Sequence, residues 1–143
     1  MQVKHILSHK GREVVTIASD ATLSEAARLM ARRHIGAVVV RNRDGSITGI
    51  ISERDLVRAI ADESVAALGK TVASRMTRDV TTCIEIDTIE DLMETMTRGR
   101  FRHMPVVEDD QLVGIVSIGD VVKTRIQETL READNLRDYI AAR

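Results

Sequence analysis

The chain has 143 residues with 21 basic and 22 acidic side chains, a formal net charge of −1. With one Phe, one Tyr and no Trp as well, it offers no general attraction to nucleic acid or anionic lipid and little on which single-stranded bases could stack. A hydrophobic fraction of 43% beside 30% charge, without an uninterrupted apolar stretch of membrane-spanning length, reads as a soluble globular chain and excludes a membrane-embedded one.

The N-terminus carries Lys4, His5, Lys10 and Arg12 where a secretion signal would have an apolar core, so a cytoplasmic location is expected. Val3, Ile6 and Leu7 suggest a short first helix. Residues 14–17 form a β-branched run, followed by a turn at 18–21 and a predicted helix over 22–33 with Leu23, Ala26, Ala27 and Met30 on one face. Residues 37–40 and 47–52 are apolar runs joined by Asn42-Arg43-Asp44-Gly45, a hairpin composition, and 53–62 continues as a helix. The order is β-α-β-β-α. A connector over 63–79 carries short helical pieces around 65–68 and 72–76, with Gly69 as the break. Residues 80–84, 88–98, 104–107, 112–117 and 118 onward then fill the same five slots. Pro105, the only proline, removes a ladder donor from its strand and points to an edge or a break there.

The second set of elements is a copy of the first. Gly-Ile-Ile-Ser-Glu-Arg-Asp at Gly49 to Asp55 returns as Gly-Ile-Val-Ser-Ile-Gly-Asp at Gly114 to Asp120. An offset of 66 places Thr22 on Thr88, Met30 on Met96, Ile35 on Phe101 and Val39 on Pro105. One residue is lost in the second turn, where such a change costs least, and an offset of 65 brings Ser52 and Asp55 onto Ser117 and Asp120. The expected divisions are 1–13 as lead-in, 14–62 as repeat 1, 63–79 as connector, 80–128 as repeat 2 and 129–143 as a helical extension. Each copy, at about 50 residues, buries little apolar surface alone, so a core shared by the halves is expected.

Beyond the second copy the last helix runs on, with Val122, Ile126, Thr129, Ala133, Leu136 and Ile140 at alternating spacings of four and three. That spacing makes a narrow seam suited to zipping two helices together, so a homodimer is expected; folding back onto its own domain is the alternative.

These features resemble two tandem CBS domains, the pair often called a Bateman module. The resemblance covers nearly the whole chain and rests on the apolar strand ending in Gly-x-x-Ser-x-x-Asp and on Phe101-Arg102-His103-Met104-Pro105-Val106. More narrowly the chain is similar to small stand-alone bacterial CBS-pair proteins. The resemblance implies an α/β (α+β) fold, two β-α-β-β-α repeats packed with pseudo-twofold symmetry plus a long C-terminal helix, with clefts that in many members hold adenosine-containing ligands.

The Ser-x-x-Asp element has its own chemistry. A carboxylate at the first turn of a helix can accept hydrogen bonds from both vicinal hydroxyls of a ribose, and the serine hydroxyl adds a polar contact. Asp55 and Asp120, with Ser52 and Ser117, are thus candidate ribose ligands. The same spacing is also a capping box. Two copies in one register favour ligand contact, and capping can coexist with it. For phosphate the candidates are Arg54, inside the first element, and Arg102 and His103, at positions where the resemblance implies basic residues. The first copy has Gly36 and Ala37 there, so the two sites are not expected to be equivalent. By resemblance the adenine slot is lined near Thr16, Ile17, Ile35, Ala37 and Val39 in the first copy. In the second it is lined near Thr81, Cys83, Phe101, Met104 and Pro105. Most of these are equally candidate core residues.

Enzymatic readings find little support. Cys83 has no nearby histidine in sequence and lies on a predicted strand, and as a lone cysteine it fits a reducing compartment without a disulfide framework. Of the four histidines only His5 and His9 have any metal-ligand spacing, and no phosphate-binding glycine loop is present. Two readings remain: a module sensing an adenosine nucleotide, with AMP ahead of ATP or NAD(H), that acts on a protein effector, or a dimeric adaptor with empty clefts.

Overall fold

The structure is a computed structural model and describes residues 1–142, so the last residue of the predicted extension, 143, lies outside the described residues. The chain forms two compact units, Val14–Thr81 and Met1–Glu13 with Thr82–Arg143. Each contains a helix, an antiparallel strand pair and a second helix in that order.

In the unit Val14–Thr81, β1 (Thr16–Ala18) lies parallel to β2 (Ala37–Arg41), which pairs antiparallel with β3 (Ile47–Ser52). Helix α2 (Leu23–Arg33) begins at a Thr22/Glu25 capping box and buries Leu23, Ala26 and Met30 of the face read from sequence, with Ala27 of that face partly buried. Helix α3 (Glu53–Glu63) follows β3 directly, with Ser52 as N-cap. The connector contributes 3-10 turns at Ser64–Gly69 and Val72–Ser74, and Ala67, Val72 and Met76 join the buried cluster around Val38, Val40 and Ile51. Arg75 clamps it to α3, donating to Asp62 at 2.8 Å and Glu63 at 2.9 Å.

In the other unit, α1 (Val3–Lys10) precedes α4 (Ile89–Gly99), the hairpin of β4 (His103–Glu108) and β5 (Gln111–Ser117), and α5 (Ile118–Ala141). The β4–β5 turn is a two-residue one, with Asp109 and Asp110 both at positive φ (49° and 61°), the conformation that suits strand twist in tight hairpins. Between the paired residues Arg41 and Ile47 the first unit has five residues, 42–46, where between Val107 and Leu112 the second has four, 108–111, which accounts for the change of offset by one. Val3, Ile6 and Leu7 pack with Leu92, Val106 and Val116.

The repeat extends further than its sequence pattern. Val3 N–H donates to Asp87 O (2.9 Å) and Ile89 N–H to Met1 O (3.1 Å); Val72 N–H donates to Ala21 O (2.7 Å) and Leu23 N–H to Lys70 O (2.9 Å). The bridges Gln2 to Thr88 and Thr71 to Thr22 follow suit, so the lead-in and the connector are equivalents at an offset of 69. Each therefore docks on the repeat it does not immediately precede. Each unit has its own buried cluster, to which the lead-in contributes Val3, Ile6 and Leu7 and the connector Ala67, Val72 and Met76.

The predicted strand over 80–84 shrinks to one parallel bridge, Cys83 with Val106. Pro105 explains the loss. In the first unit Val39 N–H reaches Val15 O at 3.4 Å, and Pro105, standing at the place of Val39, has no N–H to give. Only Cys83 N–H to Pro105 O (3.0 Å) and Val107 N–H to Cys83 O (2.9 Å) remain.

Candidate functional site

The glycine that opens each repeated motif is explained by packing. A Cβ on Gly49 would lie 2.6 Å from Thr77 O, and one on Gly114 would lie 2.7 Å from Leu7 Cδ2. Connector and lead-in press on the same strand position in both units.

The serine and aspartate form the same arrangement twice. Ser52 N–H donates to Asp55 Oδ2 at 2.8 Å, and Asp55 N–H returns a bond to Ser52 Oγ at 3.4 Å. Ser117 N–H donates to Asp120 Oδ2 at 2.9 Å, and Asp120 N–H to Ser117 Oγ at 3.2 Å. The capping box is thus real in both copies. It engages Oδ2 and leaves Oδ1 of each carboxylate without a hydrogen bond among the described residues. Both aspartates are half-buried, neither sealed in nor turned fully to water.

Backbone register brings further predicted residues to these caps. His103 lies directly across the ladder from Ser117, and Ile118 N–H donates to Arg102 O at 2.8 Å. Arg102 and His103 therefore stand at the same end of their sheet as Asp120. In the first unit Ala37 faces Ser52 and Glu53 N–H donates to Gly36 O at 3.0 Å. The frame is the same without the cations, and Arg54, exposed on the first turn of α3, is the basic residue beside it.

Of the adenine-slot candidates, Ala37, Val39, Cys83, Met104 and Pro105 are buried, while Thr16, Ile17, Ile35 and Phe101 are partly so. Cys83 and Met104 belong to their unit's core, and Thr81 is exposed. Gly99 makes room for Phe101, since a Cβ there would meet its ring at 2.2 Å. Burial, with Asp87 nearby, pushes the Cys83 thiol up to about 12, which makes it an inert packing group.

One site residue has no signal in the motifs. Lys10, at the C-terminal end of α1, donates to Asp120 Oδ2 at 2.6 Å. Burial raises the Asp120 carboxyl, but the hydrogen bonds from Lys10 and Ser117 outweigh it and leave the group below the ordinary carboxylate range. Only the docking of α1 reveals the contact; at the offset of 69 the first unit has Asp79 in place of Lys10, so the two aspartates differ.

Among known families, the CBS domain matches residues 3–62 and again 70–126. A crystal structure of a CBS-domain containing protein from Agrobacterium tumefaciens is 50% identical with a TM-score of 0.86, the match covering 87% of this chain and 99% of that one. A CBS domain protein from Pyrobaculum aerophilum, solved in complex with AMP, is 28% identical with a TM-score of 0.75, covering 84% of this chain and 89% of that one. A CBS domain pair solved with 5′-methylthioadenosine and S-adenosyl-L-methionine is 27% identical with a TM-score of 0.80, covering 90% of this chain and 98% of that one.

Proposed function

The chain belongs to the CBS domain family, and from that premise we propose that it is a regulatory module that senses an adenosine-containing ligand, AMP ahead of ATP or NAD(H). The observation that carries the reading is the duplicated carboxylate, each held by its serine through Oδ2 with Oδ1 left to accept from a ribose hydroxyl. Arg102 and His103 beside Asp120, and Arg54 beside Asp55, are the phosphate contacts. The adenine ring packs against the partly buried Ile17 and Ile35 in the first unit and Phe101 in the second. Relatives solved with AMP, and with methylthioadenosine and S-adenosylmethionine, support the adenosine class.

Lys10 supplies a route from occupancy to response. A ribose that takes up Asp120 must share it with Lys10 or displace it, so ligand alters the tether between α1 and the start of α5. Binding and signalling are then the whole activity, with no catalytic step, and the protein acts through an effector. Millimolar AMP, ATP or NAD(H) is expected to raise the melting temperature of the purified protein. Unchanged melting with all of them contradicts the proposal.

A second reading, a dimeric adaptor, is favoured by α5. Its buried residues are Val121, Thr124 and Glu128, and every described residue beyond Glu128 is exposed. The seam residues Ile126 (55%), Leu136 (60%) and Ile140 (60%) lie open rather than folded back. So long an uncovered helical stretch is marginal in water, and the same face on a second copy would cover it. A dimer is compatible with sensing; the adaptor stands alone only if no adenosine ligand binds.

A further inference from the structure

Helices α1 and α5 line an open groove of about 420 Å³ that meets the ribose candidate Asp120 at one end and extends beyond it along both helices. Its α5 wall is one helical face, positions 120, 124, 127 and 131, with Lys123 alongside, and Ile6, His9 and Lys10 come from α1. The floor is closed, since Ile6 and Thr124 are 5% and 8% exposed. The rim is cationic. Lys10 is offset by Asp120, whereas Lys123 and Arg131 form no ion pair among the described residues, which leaves two uncompensated positive charges on one groove. They sit eight residues apart on α5, about 12 Å along the axis, and their long side chains can close on one compact anion from either end.

We propose that the groove between α1 and α5 binds a compact phosphorylated anion with at least two phosphate groups, gripped by Lys123 and Arg131 with Lys10 at its Asp120 end. Two unpaired cations over a closed floor match a diphosphate better than a single phosphate, and the size admits a small molecule of up to mononucleotide bulk. Diphosphate chemistry comes from inorganic pyrophosphate or from the tail of a nucleotide. The inference does not require the ribose reading, because pyrophosphate has no sugar.

Calorimetric titration of the full chain at constant ionic strength, with pyrophosphate, ADP and adenosine in separate arms, tests it. Pyrophosphate is expected to bind once per chain, and Lys123→Gln and Arg131→Gln are each expected to weaken it by about tenfold or more. Both side chains are exposed, so circular dichroism should show an unchanged fold. ADP binding more tightly than pyrophosphate, and losing affinity in the same variants, assigns the groove to a nucleotide tail; ADP binding no more tightly assigns it to inorganic phosphates. No pyrophosphate binding, or an affinity untouched in the double variant Lys123→Gln/Arg131→Gln, overturns the proposal. Pyrophosphate binding that persists while adenosine fails to bind would sink the ribose reading and leave the groove standing.

Discussion

Replacing Gly49 with alanine tests the packing logic of the repeat at its tightest point. The new Cβ would sit 2.6 Å from Thr77 O and 2.8 Å from Met76 Sδ. Relief requires a movement of about 0.8 Å to reach ordinary contact, and Thr77 is not free to make it. Ile50 N–H donates to Thr77 O and Thr77 N–H to Ile50 O, both at 2.9 Å. Overpacking costs about 1–3 kcal/mol, and weakening two backbone hydrogen bonds adds up to about 1 kcal/mol each. Removing a glycine from a strand returns about 0.5–1 kcal/mol. The net expectation is a loss of about 2–3 kcal/mol, or a Tm lower by about 6–12 °C for a chain of this size. Gly114→Ala meets the terminal methyl of Leu7, which can rotate, so its loss should be smaller. Thermal unfolding followed by circular dichroism measures both. A Gly49→Ala Tm within about 2 °C of the parent, or Gly114→Ala the more damaging of the two, would refute the argument.

Lys10→Met removes the partner of a half-exposed carboxylate and should cost at most about 1 kcal/mol near neutral pH. Because the folded Asp120 carboxyl lies below its ordinary value, the pair's contribution is full above the unfolded pKa of about 3.9 and disappears as pH falls through the folded one. Melting curves of parent and variant should differ at pH 6 and converge in acid; a constant gap from neutral pH down to strong acid would exclude the assignment. Leu136→Glu with Ile140→Glu places charges on the exposed seam and should convert a dimer to monomer in light scattering, with helical content kept. A parent that is already monomeric at high concentration removes the dimer reading.

Much of this architecture was legible because the chain states it twice. The β2–β3 and β4–β5 hairpins and the caps at Ser52 and Ser117 follow from apolar runs bounded by turn residues and a serine with its acid three residues on. What the pattern hid was tertiary. Pro105 kept the β-rich composition of residues 80–84 from becoming a strand, because the missing N–H belongs to a neighbouring chain segment. The first helix and the short helical pieces of the connector were legible as local elements, but local sequence has no way to say on which repeat each docks. For the same reason Lys10 was invisible as a site residue, since its role depends on a contact with Asp120, 110 positions away. The duplicated serine and aspartate were readable as a repeated cap, whereas the buried slot candidates were not separable from core, and Cys83 and Met104 belong to the core.

Whether the duplicated aspartates read a ribose is tested by comparing AMP with 2′-deoxy-AMP by calorimetry on the unaltered protein, which leaves both helix caps undisturbed. Removing the 2′-hydroxyl is expected to weaken binding by about 10-fold or more, the value of one hydrogen bond to a charged acceptor. Equal affinities for the two nucleotides would contradict it.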